Sequence, residues 1–300
     1  MTFVQGTEVI GGAAAEGEAH GAALRGQARH LRLGWIFWLC VAWLAGLAIA
    51  AAAAPVLPLS NPLATDITNR LISPDTNFWL GTDQLGRDML ARVVYGARVS
   101  LTVAFGTVLI AAAFGILLGL PAGYFRGRTE ALLMGVADIG LAFPPIILIL
   151  LVAAYAGAGV VNLILVLSIL GIPIYMRIAR AVTLTFAQRE FVVAARAVGA
   201  SHLRIMRQEL LPNVALPVAV VAVIGMSRVI VIEGILSFLG LSVAPPTPTW
   251  GNMIALGMSE IGFHPHVSFV PSAFMVVTIF ALNSVGNALR KTTDLREGLL

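Results

Sequence analysis

The segment R-E-F-V-V-A-A-R-A-V-G-A-S-H-L-R-I-M-R-Q-E-L-L-P, from Arg189 to Pro212, is too polar to span a bilayer but lies between apolar runs that are long enough to do so. Apolar residues recur at helical spacing on both sides of Gly199. They are Phe191, Ala194, Ala195 and Val198 before it, and Leu203, Met206 and Leu210 after it. Gly199 is expected to end the first helix, Ser201 to cap the second, and Pro212 to end the second. We therefore predict a helix-turn-helix that a partner protein binds. The alternative is an amphipathic segment that lies on the anionic inner leaflet.

The composition places the chain in a membrane. Hydrophobic residues make up 58% of the sequence and charged residues 11%, whereas soluble domains carry about 25% charged residues. The single cysteine, Cys40, excludes a disulfide framework and any multi-cysteine metal site. The basic residues lie beside apolar runs, which is typical of membrane topology and does not indicate nucleic-acid binding.

Six apolar runs of about 20 residues predict six transmembrane helices, so the expected fold class is all-α. The predicted spans are 34–54, 99–120, 131–154, 160–178, 213–239 and 267–288. Around them we predict an N-terminal tail 1–33, an outer segment 55–98, a core 99–289 that includes 189–212, and a C-terminal tail 290–300. Fourteen of the 19 Lys and Arg residues fall on the side that this topology places in the cytoplasm, counting Arg177 at the exit of the fourth span, which favours cytoplasmic termini.

The outer segment ends in a second pattern, W-L-G-T-D-Q-L-G-R-D-M-L-A-R, which begins at Trp79. An amphipathic helix is expected from Met89 to Ala97, leading into the second span. Helix capping and surface solvation explain Thr82, Asp83 and Asp88 better than a metal or catalytic cluster does. Within the second span, Gly115, Gly119 and Gly123 form a ridge of small residues that favours close packing against another helix.

Three ionisable residues fall inside predicted spans, where charge is costly and usually functional. Asp138 lies roughly 12 Å and Arg228 roughly 22 Å from the inner surface, at 1.5 Å per residue. This difference in depth disfavours a direct pair, so Arg228 is expected either to face a water-filled pathway or to pair with a second subunit. Glu233 is poorly placed to pair with Arg228 on the same helix. We predict Asp138, Arg228 and Glu233 as translocation-pathway residues, with structural buried pairs as the alternative.

Three motifs, in the right order, resemble the C-type permease subunits of dipeptide/oligopeptide/nickel ABC importers. They are G-T-D-x-x-G-R-D at 81–88, A-A-R-A-V-G at 194–199 followed by Pro212, and S-F-L-G-L…P-P-T-P-T-W-G at 237–251. The second is similar to the cytoplasmic EAA loop, a short helix that docks into a groove on the ATPase subunit. The sequence departs from the family pattern in two places. The leading Glu of the EAA motif is absent, because Val193 occupies its position, and the C-terminal tail reads G-N-A-L-R-K-T-T-D-L-R.

The resemblance, which covers about Asn77 to Arg290, implies one permease subunit of an ATP-driven importer in the inner membrane of a bacterium or archaeon. Its partners would be a homologous permease, two ATPase subunits that hold the ATP and Mg, and an extracytoplasmic solute-binding protein. No cofactor is expected on this chain. The ATPase-coupling residues would be Glu190, Ala194, Ala195, Arg196, Gly199, His202, Arg204 and Pro212.

Short peptides are the substrate that the resemblance favours, with nickel or another small solute as the alternative. His264 and His266 form too small a set for a metal site, so no metal is predicted on this chain. An ion-coupled secondary transporter would instead use Asp138, Arg228 and Glu233 as coupling charges. An intramembrane enzyme is disfavoured, because neither a nucleophile–base pair nor a nucleotide-binding motif is visible.

Overall fold

The computed structural model describes residues 34–157 and 159–298, and the predicted tail 1–33 lies outside them. The described part is helical, and one short 3₁₀ turn, Ile67–Asn69, lies in the outer segment. We number the helices in chain order: α1 Trp35–Ala53, α2 Met89–Phe125, α3 Gly127–Ala142, α4 Pro145–Ala156, α5 Val160–Phe186, α6 Glu190–Ala197, α7 His202–Phe238, α8 Trp250–Gly257 and α9 His266–Gly298. Five of these helices are long and apolar enough to cross a membrane, and the bent pair of α3 and α4 makes a sixth if it crosses as one broken span.

Helix α2 packs along α5 through the predicted ridge of glycines. A Cβ atom on Gly123 would lie 2.7 Å from the carbonyl oxygen of Arg180, and one on Gly119 would lie 2.8 Å from the Cβ atom of Ala179. Gly115 faces Tyr175 just as closely. Because the backbones approach to this distance, only glycine fits at these positions, and the packing interpretation of the ridge is confirmed.

The predicted third span is not one straight helix. Helices α3 and α4 meet at an angle of 77°. Phe143 and Pro144 between them have extended backbone dihedrals. Each of these residues precedes a proline, and proline disfavours the helical conformation in the residue before it. The pair Pro144-Pro145 therefore breaks the span inside the bundle.

Two helices extend beyond the predicted spans, and one predicted helix end is wrong. The amphipathic helix expected at Met89 is the start of α2, so the expected boundary between 98 and 99 falls within one helix. Helix α9 likewise continues past the expected end of the last span to Gly298. Pro212 does not end a helix, because α7 continues through it as a span of 37 residues. Residues Ile205–Leu210 form a π-helical turn directly before this proline, and the wider turn accommodates the missing N–H group.

The motif at 81–88 folds into a compact turn that caps α2 at the end opposite α6. The carboxylate of Asp88 accepts a hydrogen bond from the Leu90 N–H, as capping predicts. Thr82 and Asp83 are buried, however, so the expectation of surface solvation is wrong for them. Asp83 pairs with Arg87 at 2.7 Å and with Arg92 at 3.3 Å. Burial of two cations beside one carboxylate requires further acceptors, and Arg92 donates to the carbonyl oxygen of Pro62.

Candidate functional site

The segment 189–212 forms a helical hairpin at one end of the bundle. Helix α6 ends in a Schellman motif, in which Ala200 N–H donates to the Ala195 carbonyl and Gly199 N–H to that of Arg196. Gly199 has φ +84°, so it ends the helix in the left-handed region, as predicted. The Ser201 side chain then accepts a hydrogen bond from the Arg204 N–H and caps α7. The local sequence therefore fixes the turn of the hairpin.

The apolar face predicted for α6 points outward. Val192 is the residue of α6 that is buried against the bundle, in a small core with Ile205 and Leu210. Ala194 is exposed and Ala195 half-buried, and the charged side chains of Glu190, Arg196 and Arg204 are exposed as well. Large apolar side chains are also open to the outside on this hairpin: Phe191, Val193, Val198 and Leu203. We call these four residues the hairpin patch. Several large apolar side chains exposed among charged ones on one short hairpin indicate an interaction surface.

Aromatic contacts connect the hairpin to the end of α2. The hydroxyl of Tyr124 lies 2.9 Å from Nδ1 of His202. The guanidinium of Arg196 lies 4.9 Å from the centre of the Tyr124 ring. Phe125 packs edge-on against the His202 ring. A displacement of the hairpin would therefore be transmitted to α2 as well as to α7.

Asp138 lies in a cleft between α3 and α5 and not deep in the bundle. It pairs with Arg177 at 2.5 Å, and both side chains are more than half exposed. Further along the same cleft, Glu130 pairs with Arg180. These two bridges join the first half of the broken span to α5. The structure therefore gives Asp138 a partner on a neighbouring helix and does not bring it together with Arg228.

Glu233 is buried, with 1% of its surface exposed. Its carboxylate accepts hydrogen bonds from the hydroxyl groups of Ser100, Ser237 and Ser242, at 3.2, 2.8 and 3.0 Å. These bonds join α2, the end of α7 and the loop that follows it. Because its oxygens are occupied in this way, Glu233 has the surroundings of a structural residue, and it does not line the cavity beside Arg228.

Arg228 lies at a cavity of about 320 Å³ inside the bundle. The cavity is bounded by α2, α5, α7 and the break between α3 and α4. Its walls are mostly apolar, and the Arg228 side chain is exposed. Among the described residues, Arg228 forms no salt bridge within 4.0 Å. Of the three predicted pathway residues, Asp138 lines the cleft between α3 and α5, whereas Arg228 lies at the mostly apolar cavity among α2, α5 and α7.

Several of these contacts are not visible in the sequence. Tyr124 and His202 are 78 positions apart, and no local pattern joins them. The bridges of the α3–α5 cleft carry a weak signal, because Glu130 and Asp138 share a helix face, as do Arg177 and Arg180. The two histidines near α9 do not pair around a common site, since Nε2 of His266 faces the carbonyl oxygen of Thr82 at 3.2 Å. Among the residues that the structure describes, no group of three or more His, Cys, Asp or Glu side chains is placed to bind a metal.

The described helices define a class of protein. A cavity within a bundle of membrane-crossing helices suits the passage of a solute. A polar hairpin outside the spans, attached directly to one of the helices that line this cavity, suits control by another protein. The architecture is therefore that of a membrane transport permease.

Comparison with known proteins gives the family. Residues 115–296 match the family described as the binding-protein-dependent transport system inner membrane component. The chain is 40% identical over 217 residues to the di/tripeptide transport system permease protein DppC of Pseudomonas aeruginosa. The alignment covers 72% of each chain. It is 34% identical over 248 residues to the glutathione transport system permease protein GsiD of Pectobacterium atrosepticum, covering 83% of this chain and 82% of that one. The chain belongs to this family of inner-membrane transport components.

Solved structures agree on the fold. The inward-facing MetNI methionine ABC transporter matches with a TM-score of 0.51 at 20% identity, over 68% of this chain and 97% of that one. An amino acid ABC transporter crystallised with histidines matches with a TM-score of 0.51 at 14% identity, over 68% and 94% of the two chains. These likenesses concern the fold, and the family match and the curated relatives identify the chain as a multi-pass inner-membrane permease of the ABC-importer type. Permeases of this type work with ATPase and solute-binding partners.

Proposed function

We propose that this chain forms half of the translocation pathway of an ATP-driven importer for short peptides. The observation that carries the proposal is the cavity at Arg228. Arg228 lies on α7, and the first residues of this same helix form the second arm of the hairpin. The names of the relatives support the substrate, because they describe permeases for di- and tripeptides and for glutathione, which is itself a tripeptide. A second, homologous permease would supply the other half of the pathway.

In this proposal the hairpin docks on an ATPase subunit, which holds the ATP and Mg, and both chain termini lie in the cytoplasm. The charge distribution of the sequence supports this orientation. Exposed residues on both arms of the hairpin, including Glu190, Ala194, Arg196 and Arg204, would contact the ATPase. His202 also contacts Tyr124 and would pass the movement to α2. Two ATPase subunits and an external binding protein would complete the transporter.

Helix α7 provides a mechanical link from the hairpin to the pathway. From His202 to Arg228 it spans 26 residues, or about 39 Å at 1.5 Å per residue. ATPase closure would move the hairpin and tilt this helix, and the cavity would then open alternately to the two sides of the membrane. The π-helical turn before Pro212 lies between the two sites and is a place where the helix can bend.

Competition for uptake tests the substrate. In proteoliposomes that contain the complete transporter, we expect an excess of mixed di- and tripeptides to suppress the uptake of a labelled dipeptide. Equal concentrations of nickel chloride or of a free amino acid serve as controls and are expected to leave uptake unchanged. If nickel or a non-peptide solute competes and peptides do not, the peptide assignment is wrong although the family membership stands.

A further inference from the structure

The cavity at Arg228 has an uneven distribution of charge. Among the residues that the structure describes, no aspartate or glutamate lines it, and the charged lining residues are two arginines, Arg228 and Arg290. Arg290 already has an interaction of its own within the protein. Arg228 forms no salt bridge with any described residue, although a guanidinium in an apolar environment strongly favours an anionic neighbour. The cavity is therefore electrostatically suited to an anionic group.

A second, independent observation concerns a hydroxyl group. Thr107 lines the same cavity and is only 2% exposed. Its Oγ1 atom is buried, and among the described residues it has no hydrogen-bond partner. Leaving such a group unsatisfied is costly, because it has lost its hydrogen bonds to water without gaining others. The buried oxygen is not open to the cavity in this conformation, and a rotation of the Thr107 side chain would bring it to a ligand that accepts its hydrogen bond.

The break between α3 and α4 adds to the positive potential. Pro145, the first residue of α4, lines the cavity. The N-terminal end of a helix carries a partial positive charge and favours anions, and broken membrane helices of transporters present such ends to anionic substrates. Residues that carry a guanidinium, an unpaired hydroxyl and the start of a helix thus line the same apolar cavity.

We infer that this cavity is a carboxylate-binding position in the pathway, at which Arg228 and Thr107 hold the carboxylate of a solute during its passage. A carboxylate offers two coplanar acceptor oxygens, which match the fork of the guanidinium and leave a lone pair for the hydroxyl. The inference rests on the proposed function in one respect: the solute would be a peptide. The group that binds in the cavity would then be the C-terminal carboxylate of that peptide. Solutes without this group, such as peptide amides, would lack the contact.

A cysteine reporter tests the electrostatic part. Ile232 lines the cavity one helical turn from Arg228 and is accessible. In the assembled transporter we would place Ile232→Cys in a Cys40→Ala background and measure its reaction rates with an anionic and a cationic methanethiosulfonate.

Arg228→Gln is expected to lower the anionic-to-cationic rate ratio about tenfold, because one nearby charge is removed from a partly screened site. Arg228→Lys should restore most of the ratio. The matched control, Phe263→Cys at an exposed position outside the cavity, should show no change.

Protection of the same reporter tests the ligand. A dipeptide with a free C-terminal carboxylate is expected to slow the modification of Ile232→Cys, and the corresponding dipeptide amide is not. Thr107→Val, which removes only the hydroxyl at similar volume, should weaken protection by the free acid several-fold, while Thr107→Ser retains it. Equal protection by acid and amide, or a rate ratio unaffected by Arg228→Gln, would overturn the inference. If the proposed substrate alone is wrong, dipeptides would not be taken up, but acetate would still protect the reporter.

Discussion

Replacement of Val198 with aspartate is expected to reduce ATP-dependent uptake at least tenfold while the permease remains folded. Val198 belongs to the hairpin patch and is 88% exposed, so the substitution disturbs no packing within the chain. If the patch is the surface that docks on the ATPase, a charge at Val198, its most exposed residue, would be desolvated without a partner. The loss of a central interface residue costs about 2 kcal/mol or more, which corresponds to roughly thirtyfold weaker association.

Co-purification of the ATPase subunits with the tagged permease measures this effect directly. Phe263→Asp is the matched control, because Phe263 is also 88% exposed but lies between α8 and α9, away from the hairpin. We expect Val198→Asp to lose most of the ATPase and Phe263→Asp to retain it. Retention of the ATPase by both variants would support the alternative in which the hairpin lies on the lipid surface.

The second large effect is expected from Gly119→Leu. A side chain at this position would meet the backbone of α5, including the amide nitrogen of Arg180 at 3.1 Å, and backbone cannot move aside as a side chain can. Overpacking of a well-packed core costs about 1–3 kcal/mol and more where helices must separate. We therefore expect the thermal unfolding midpoint of the purified permease to fall sharply, and less protein to accumulate in the membrane.

Gly135→Leu provides the control for this prediction. Gly135 also lies within a helix, α3, but nothing lies within 4 Å of a Cβ atom built there. The two variants make the same chemical change, so a difference in their midpoints isolates the contact between α2 and α5. Similar midpoints for both would mean that the two helices are not packed as closely as the structure shows.

The sequence was sufficient to predict the all-α class, the spans and the turn of the hairpin. These features depend on local chemistry: apolar runs about 20 residues long, the conformational freedom of Gly199, and the capping hydroxyl of Ser201. The glycine ridge was also predictable, because Gly115, Gly119 and Gly123 recur at four-residue spacing on one face of a helix.

The errors arose where tertiary structure changes what a local signal does. A proline normally ends a helix, but α7 continues through Pro212 after a π-helical turn at Ile205–Leu210. The Pro144-Pro145 pair, in contrast, breaks a run that hydropathy alone describes as one span. The burial of Asp83 depends on two arginines that come later in the chain, and no local rule predicts both pairs.

The candidate site was predictable only in part. An arginine inside an apolar span is unusual enough to single out Arg228. The sequence could not distinguish it from Asp138 and Glu233, because the distinction depends on neighbours that are far away in sequence. Asp138 forms a salt bridge with Arg177 on α5. Glu233 accepts hydrogen bonds from serine hydroxyls, one of which, that of Ser100, comes from α2.

The most direct test of the account measures the energy source for uptake of a labelled dipeptide. The complete transporter would be reconstituted in proteoliposomes, with the binding protein on one side, ATP on the side of the hairpin, and an uncoupler present to collapse any proton gradient. We predict uptake that continues with the uncoupler, requires hydrolysable ATP and disappears in Val198→Asp. Uptake that proceeds without ATP and follows an imposed proton gradient would contradict the account and would identify an ion-coupled transporter instead.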